Sequence, residues 1–345
     1  MDELSERQKQ ILRIIIEEYI NTVRPVASEN IAAKHELGVK PATVRNEMAE
    51  LEAGGYITHT HTSAGRIPAD KGYRYFVQHM LGFSPNLSLP NDEQRTIQHQ
   101  FHQVQNDVEE WMRLSAAVLA RTAQNTALVT EPRSVSATVK QCQLLSIKER
   151  TALLVLVTQD GTVRQQVIAL PEAKEQDELT TISNKLNERL VGRGLTNLPA
   201  AEPGRSEVER EIETHVVAML HSIEDLTNRD IIYDGLVNML SQPEFKATER
   251  VKQVLEIIEG GGSLLTLLTD VLTQEGVQVI IGDENRLNDL RQCSVILARY
   301  GVGEKAGVLG IIGPTRMEYG RSIGGVRYVA RLLSEMMADV YGPLQ

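Results

Sequence analysis

Cysteine is nearly absent from this chain of 345 residues, which contains only Cys142 and Cys293. Neither residue has a second cysteine or a histidine pair at the short spacing that a zinc site requires. In a cytosolic protein, free reduced thiols are expected rather than a disulfide. The sequence therefore predicts no metal site.

Aromatic residues are scarce as well, at 4% of the chain, and no apolar run reaches the roughly 18 residues of a membrane-spanning helix. The first ten residues are charged from the start and lack the apolar segment of a signal peptide. Hydrophobic and charged contents of 41% and 24% are those of ordinary globular proteins. We expect a cytoplasmic protein of two or three domains, without a membrane partner.

Catalytic and nucleotide-binding signatures are missing too. In the glycine-rich segment 300–320, three residues rather than two separate Gly303 from Gly307, and Lys305 is not followed by Ser or Thr. Neither a dinucleotide fingerprint nor a phosphate-binding loop is matched. The sequence also contains no HExxH or CxxC motif. We expect no enzymatic activity and no cofactor.

What the chain does contain is a segment, 39–55, with the pattern of a DNA-recognition helix. Pro41 suits the first helical position, and Val44, Met48 and Leu51 form one apolar stripe. The two glycines at 54 and 55 end the helix. The opposite face offers small and hydrogen-bonding side chains that fit a major groove and pair with base edges. The predicted DNA-contacting residues of this helix are Lys40, Ala42, Thr43, Arg45 and Asn46.

The flanking segments complete a winged helix-turn-helix. Upstream lie an amphipathic helix over 5–19 and a short helix that begins at Ser28 and ends at Gly38. Downstream, 56–68 reads as a hairpin with two polar faces, which suits a wing against phosphates and a minor groove. A helical hairpin with a solvated loop for protein contacts is the alternative. The predicted DNA contacts of the wing and the helix after it are Ser63, Arg66, Lys71 and Arg74.

The charge distribution is consistent with this assignment, although the whole chain carries a formal net charge of −10. Residues 1–83 contain ten basic and eleven acidic residues, whereas the rest of the chain contains 26 and 35. The acidic excess therefore lies outside the predicted DNA reader. Phosphate binding requires local basic residues rather than a basic protein. His59 and His61 alternate along the wing and are read as polar wing residues rather than as a metal pair.

The remainder of the chain alternates between helical and strand patterns. One long helix is predicted from Asp92, with an apolar seam that suits either a sheet or a partner chain. Strand patterns follow at 139–144, 151–158 and 163–170, then a helix over 173–191 and a helical block over 207–259. Three more strands, 277–281, 294–300 and 306–312, precede a last helix over 322–340. We predict that strands near Val155 pair with strands near Val308.

This order predicts an α+β fold in which one sheet domain is interrupted by an insertion. The predicted domains are a winged helix (1–83), a linker (84–93), a discontinuous sheet domain (94–195 and 261–345) and an inserted helix-rich domain (196–260). The apolar stripes of the insertion exceed what so small a block can bury alone. They predict a dimer interface at Ile212, Val216, Val251 and Leu255.

Two blocks of the sequence carry a resemblance to a known family. PATVRNEMAELEAGGYI and HTSAGRIPADKGYRYFV near one end, and VQVIIGDEN, CSVILARY and GVLGIIGPTRMEYGRSIGGVRYVARLL near the other, resemble the HrcA heat-shock repressors. Lys40 departs from the small hydroxyl residue expected to cap the recognition helix. The match at about 197–260 is loose.

The resemblance implies a GAF-like sheet domain with an inserted dimerisation domain. It also implies a homodimer that binds the inverted-repeat CIRCE operator in double-stranded DNA before chaperone operons. Chaperonin is the implied partner that keeps the repressor active, and its titration by unfolded protein would release the DNA. The rival hypothesis is a metabolite-sensing winged-helix regulator with a small ligand in the GAF-like domain.

Overall fold

The structure is a computed structural model of the 345-residue chain. It describes residues 4–35, 38–59, 65–81, 87–104, 107–134, 137–159, 161–199, 206–224, 231–245, 252, 255–256, 262–272, 274–286, 290–303 and 305–341. The chain divides into two compact units. The first comprises Met1–Val129, Ile232–Arg299 and Leu309–Leu332, and the second Thr130–Ile231, Tyr300–Val308 and Leu333–Gln345. None of the helices in these described ranges is long and apolar enough to span a bilayer.

The first unit begins with a winged helix-turn-helix. Its elements are α1 (Glu6–Thr22), α2 (Ser28–Lys34), α3 (Pro41–Ala53), β1 (Ile57–Thr58), β2 (Ile67–Pro68), α4 (Asp70–Tyr75) and a π-helical turn (Phe76–Leu81). A capping box between Ser5 and Gln8 starts α1. The apolar stripes of α1, α2 and α3 meet in a core that includes Ile15, Ile31 and Val44, each fully buried.

Besides three short 3-10 helices (Leu195–Asn197, Pro243–Phe245 and Gly282–Glu284), the rest of the chain forms seven α-helices and nine strands within the described ranges. In chain order these are α5 (Asn91–Gln103), α6 (Val108–Ala123), β3 (Thr126–Thr130), β4 (Arg133–Ser134), β5 (Val139–Lys148), β6 (Thr151–Thr158), β7 (Val163–Ala169), α7 (Gln176–Leu190), α8 (Glu207–Glu224), β8 (Ile231–Asp234), α9 (Leu236–Leu240), α10 (Gly262–Leu272), β9 (Val277–Ile281), β10 (Cys293–Val302), β11 (Lys305–Pro314) and α11 (Tyr319–Tyr341).

The larger sheet has the hydrogen-bonded order β8-β3-β11-β10-β9, with β4 beside β11. Strands β3 and β11 pair antiparallel, with Thr126 opposite Ile312 and Val129 opposite Leu309. All five residues of β3 are buried. The same holds for every residue of β11 after Lys305, so neither strand alternates between buried and exposed positions.

The second unit contains an antiparallel sheet in the order β5-β6-β7. One face of this sheet packs against α7 and α8 in a single apolar cluster that includes Leu144, Leu154, Ile168 and Ile182. The free edge of β5 is covered by polar side chains of α7. Asn187 both accepts from and donates to the backbone of Cys142, at 2.7 and 2.9 Å. Such coverage protects a strand edge that could otherwise pair with another chain.

Two predicted elements differ in the structure. The long helix from Asp92 is two helices, because Val104 is extended after α5 and the Asp107 carboxylate caps α6 by accepting from Glu109 N at 2.9 Å. The helical block over 207–259 is interrupted by strand β8. In addition, the structure contains strand β3, which the sequence analysis did not predict.

The predicted strand pairing was wrong. Val155 lies opposite Gln143 and Gln165 in the β5-β6-β7 sheet, whereas Val308 belongs to β11 in the other sheet. Helix α8 packs with β5–β7 and α7 in the second unit, whose first segment runs from Thr130 to Ile231. The predicted domain boundaries stay a prediction.

Candidate nucleic-acid interface

Helix α3 presents its predicted DNA-contacting residues on one exposed face. Val44, Met48 and Leu51 are buried, which turns Ala42, Arg45 and Asn46 to the exposed side. Positions 42, 45, 46 and 49 follow the three- and four-residue spacing of one helical face and are all exposed. Thr43 lies at the boundary and is half-buried. This face meets the steric requirement of a recognition helix, since small and hydrogen-bonding side chains are outermost.

The N-terminus of α3 lacks a side-chain cap, as Lys40 indicated. Lys40 occupies the capping position, is exposed, and makes no capping hydrogen bond through its side chain. Uncapped N–H groups at a helix start attract anions, and the ammonium group of Lys40 adds a full positive charge there.

Arg45 is held by a neighbour on the preceding helix. Its Nη2 lies 2.9 Å from Oε1 of Glu29 in α2, and the two side chains are 70% and 67% exposed. An ion pair this exposed contributes at most about 1 kcal/mol, because water and salt screen it. The guanidinium can therefore exchange Glu29 for a base edge at small cost.

The base of the wing is fixed by backbone pairing. β1 and β2 pair antiparallel, and Val26 forms an isolated bridge with Arg66, with both N···O distances at 2.8 Å. Gly65 permits this approach, since a Cβ there would lie 2.5 Å from the Val26 carbonyl oxygen. Ser63 and His61, both predicted in the wing, lie outside the described residues.

Glu52, near the end of α3, joins the recognition helix to both arms of the wing. Its Oε2 accepts from Nε and Nη2 of Arg66 at 2.8 and 2.7 Å, and its Oε1 contacts Nδ1 of His59. Burial raises the pKa of Glu52, but hydrogen bonds from His59 and Arg66, together with the positive charge of Arg66, outweigh it and leave the pKa below its usual value. Sequence reasoning missed Glu52, whose only signal was an acidic residue in a basic neighbourhood.

Lys71 lies beside the turn between α3 and β1. Its ammonium group donates to the Gly54 carbonyl at 2.7 Å and sits 4.3 Å from the centre of the Tyr56 ring. The residue as a whole remains exposed. Lys71 therefore keeps a positive charge on the same part of the winged helix as the predicted wing contacts.

Arg74, by contrast, is engaged within the protein. Its Nε donates to Glu284 at 2.6 Å, and its Nη2 donates to the Val279 carbonyl at 2.6 Å and also contacts Glu284. The side chain is 21% exposed. Asp70, one turn earlier, accepts from Asp283 N at 2.9 Å. Arg74 is thus an anchor between α4 and the segment around β9, and we leave it out of the DNA-contacting set proposed below.

The predicted dimer residues lie largely inside one chain. Ile212 and Val216 are 1% and 0% exposed and belong to the apolar cluster under the β5-β6-β7 sheet. Leu255 is half-buried, and Val251 lies outside the described residues. Burial gives Ile212 and Val216 a place in the core of the second unit.

The first unit also contains a polar cavity of about 530 Å³. Arg316 lines it, yet its guanidinium is already bound by Glu244 at 2.6 Å and donates to the Ile20 carbonyl at 2.9 Å. Arg321, also on its wall, is paired with Glu93 at 2.9 Å. The cavity wall is therefore polar, with two of its guanidinium groups neutralised by carboxylates.

Comparison with known proteins finds a family match for each of two segments of the chain. Residues 3–80 match the family described as winged helix-turn-helix transcription repressor, HrcA DNA-binding, and residues 109–323 match the HrcA protein C terminal domain. Heat-inducible transcription repressor HrcA from Roseiflexus castenholzii (strain DSM 13941 / HLO8) is 46% identical over 99% of this chain and 96% of its own length. The repressor of the same name from Roseiflexus sp. (strain RS-1) is 44% identical over the same shares.

A solved structure shares the fold over nearly the whole chain. It is the crystal structure of a hypothetical protein at 2.2 Å resolution, which is 26% identical to this chain. The two superpose with a TM-score of 0.59, covering 97% of this chain and 98% of the other. The winged helix at the N-terminus and the mixture of helices and sheets beyond it confirm the predicted α+β class.

Fold and sequence together define a winged-helix transcription repressor, a DNA-binding regulator rather than an enzyme. The chain belongs to the HrcA family of heat-inducible transcription repressors.

Proposed function

We propose that this heat-shock repressor acts in the cytoplasm as a homodimer on the inverted-repeat CIRCE operator of chaperone operons. The observation that supports the proposal most strongly is the exposed face of α3 beside a wing with basic residues at its base. A single short reader has low affinity, and a two-fold dimer on two half-sites adds the contacts of a second reader. An inverted repeat is the target that matches this symmetry.

The proposed contacts divide into readout and positioning. Arg45 and Asn46 pair with guanine and adenine edges in the major groove, while Ala42 and Thr43 permit close approach. Lys40, Ser63, Arg66 and Lys71 contact phosphates or the minor groove. These groups are exposed or half-exposed, except Ser63, which lies outside the described residues. We use the name DNA-facing surface for the described residues of both groups: Lys40, Ala42, Thr43, Arg45, Asn46, Arg66 and Lys71.

The surface that we propose for the second copy is the outer face of the β5-β6-β7 sheet. Cross-strand partners place four rows of side chains on this face, and the row beside the β5-β6 turn, Lys148-Thr151-Ala169, carries one charge. The other three rows are Leu145-Leu153-Val167, Gln143-Val155-Gln165 and Gln141-Val157-Val163. Leu145, Val163 and Val167 are 45%, 57% and 59% exposed. We call these nine residues the sheet face.

Two properties of the sheet face suit self-association. None of its nine residues is charged, although 24% of the chain is charged. Two copies of a protein with net charge −10 repel each other least where their contact surfaces carry no charge. The exposed apolar side chains supply the hydrophobic contact that an obligate interface requires.

An electrophoretic mobility-shift series on operator DNA tests the proposal. Wild type should bind a CIRCE inverted repeat more tightly than a scrambled sequence of the same composition by a factor of about a thousand or more. Equal binding to both DNAs would remove the operator assignment.

We also propose chaperonin as the partner that maintains the active repressor. The larger sheet closes only when β3 meets β11, with the second unit's main segment lying between them in sequence. Non-local closure is slow and leaves apolar strands exposed during folding, and such strands are ligands for a chaperonin. After dilution from denaturant, chaperonin with ATP should raise the fraction that titrates on operator DNA. Full spontaneous recovery at micromolar concentration and growth temperature would contradict this role.

The polar cavity of the first unit favours a second candidate function, the binding of a small polar metabolite. Its volume of about 530 Å³ lies within the range of small-molecule sites. A thermal-shift screen with small metabolites tests this candidate. A ligand that both raises the melting temperature and changes operator affinity would support it.

A further inference from the structure

Glu52 presents an apparent contradiction on a surface that binds DNA. It is a carboxylate near the C-terminal end of the recognition helix, next to the wing that we propose against phosphates. A negative charge at that place repels the DNA backbone. Its contacts explain what offsets this repulsion.

We infer that Glu52 is a positioning residue that fixes the wing relative to α3, so that helix and wing meet one DNA site together. This inference rests on the proposed DNA-binding function. His59 directly follows β1, and Arg66 directly precedes β2. One carboxylate therefore holds both arms of the hairpin at its base, through Arg66 at 2.7 and 2.8 Å and through His59.

The geometry leaves Arg66 competent to bind phosphate while it is held. The bonds to Glu52 use Nε and Nη2, and a guanidinium has five N–H donors in a planar fork. Among the described residues, none accepts from Nη1 of Arg66. The backbone bridge to Val26 fixes the main chain of Arg66, and Glu52 fixes its side chain. A guanidinium ordered before binding loses less conformational entropy when it meets the DNA.

The direction in which one substitution changes operator affinity distinguishes a positioning role of Glu52 from simple repulsion of DNA. Removal of a carboxylate that only repels DNA tightens binding, whereas removal of one that orders the wing weakens it. Glu50 provides a matched control, because it lies on the same helix two residues earlier, is exposed, and accepts from Gln8 Nε2 at 2.7 Å without contact to the wing.

The experiment measures operator affinity of the full chain at several salt concentrations, normalised to the fraction active by stoichiometric titration. Glu52→Gln should weaken binding roughly tenfold, the factor for one lost contact of about 1.4 kcal/mol. It should also reduce the salt slope by up to about one, as loss of a phosphate contact does. Glu50→Gln should leave affinity unchanged or raise it, with the slope intact.

Two further variants separate geometry from charge and from general loss of structure. Glu52→Asp keeps the charge but shortens the side chain, so it cannot span His59 and Arg66, and we expect weakening similar to that of Glu52→Gln. In an Arg66→Ala background, Glu52→Gln should weaken binding much less than in wild type, because the residue acts through Arg66.

Three results would overturn the inference: tighter or unchanged binding by Glu52→Gln, wild-type behaviour of Glu52→Asp, or full additivity with Arg66→Ala. Failure of wild type to discriminate the inverted repeat is a separate result that removes the proposed operator. In that case the same variants are compared on the duplex that selection from random DNA identifies.

Discussion

The DNA-facing surface and the sheet face are both exposed, yet they differ in every other respect. The first combines small side chains with cations that already have partners inside the protein, such as Arg45 with Glu29 and Arg66 with Glu52. The second contains nine residues without a charge, arranged in three cross-strand rows. Phosphates attract the first surface from a distance, whereas the second gains free energy only on direct apolar contact.

The comparison teaches how the proposed assembly of an acidic protein can bind a polyanion and form a dimer at once. In that proposal, cations line the surface that meets DNA, and the nine residues that meet a second copy with the same net charge of −10 carry no charge. Substitutions on one surface should therefore change salt-dependent DNA affinity directly, and substitutions on the other should change it only through the oligomeric state.

The largest effect is expected on the sheet face. Val167→Glu should break the dimer, raising its dissociation constant at least about a hundredfold, because a two-fold interface receives the unpaired charge twice. Val167 is 59% exposed, so the monomer should stay folded. Sedimentation velocity measures the result. Val237→Glu, at another exposed valine, in α9, is the control and should remain dimeric. A dimeric Val167→Glu variant would move the interface elsewhere.

A smaller effect is expected on the recognition helix. Arg45→Ala should cost roughly 1–3 kcal/mol of operator binding and relax sequence preference, because it removes a base contact. Lys71→Ala should weaken all sequences evenly and reduce the salt slope by about one. Titrations on a set of single-base operator variants separate the two patterns. Unchanged specificity in Arg45→Ala would mean that the recognition face is wrongly assigned.

Arg74 tests the boundary of the DNA-facing surface. Its guanidinium is bonded to Glu284 and to the Val279 carbonyl, so Arg74→Ala should lower the free energy of unfolding by about 1–3 kcal/mol. The salt slope of operator binding should stay at its wild-type value. Chemical denaturation and a salt series measure the two quantities. A reduced slope with unchanged stability would return Arg74 to the DNA-contacting set.

The smallest effect concerns pH. Burial raises the pKa of Asp70; the hydrogen bond from Asp283 N opposes this, and the charges of Asp283 and Glu284 add to it. The folded state thus holds the Asp70 proton more tightly than the unfolded state does. The free energy of unfolding therefore falls as pH rises from the ordinary pKa of Asp through the raised pKa of Asp70. Asp70→Asn should flatten this fall, as measured by denaturation curves between about pH 3 and pH 7, a range that spans the ordinary pKa of Asp. An unchanged pH profile would contradict the assignment.

Local patterns predicted most elements because their causes are local. The stripe of Val44, Met48 and Leu51 predicted α3, and the strand patterns at 151–158 and 163–170 predicted β6 and β7. Strand β3 was missed because its five residues are all buried without alternation and only two residues separate it from α6. Short apolar runs do not distinguish a buried strand from a helix end.

Partners distant in sequence could not be predicted. Ile212 and Val216 formed a stripe that fitted a dimer interface as well as the core of their own unit, and only packing against β5–β7 decides for the core. The basic side chain of Arg74 fitted a phosphate as well as Glu284, which lies 210 residues further along the chain. Periodicity shows that a side chain needs a partner but does not show which one.

The central claim is that two separate surfaces act together, one on DNA and one on a second copy. Its most direct test titrates wild type and Val167→Glu on the complete inverted repeat and on the same DNA with one half-site scrambled. Wild type should lose about a hundredfold or more in affinity when one half-site is scrambled, since half of the base contacts disappear. The variant should bind both DNAs weakly and equally. Wild type that ignores the second half-site, or a variant that still prefers two, would contradict the account.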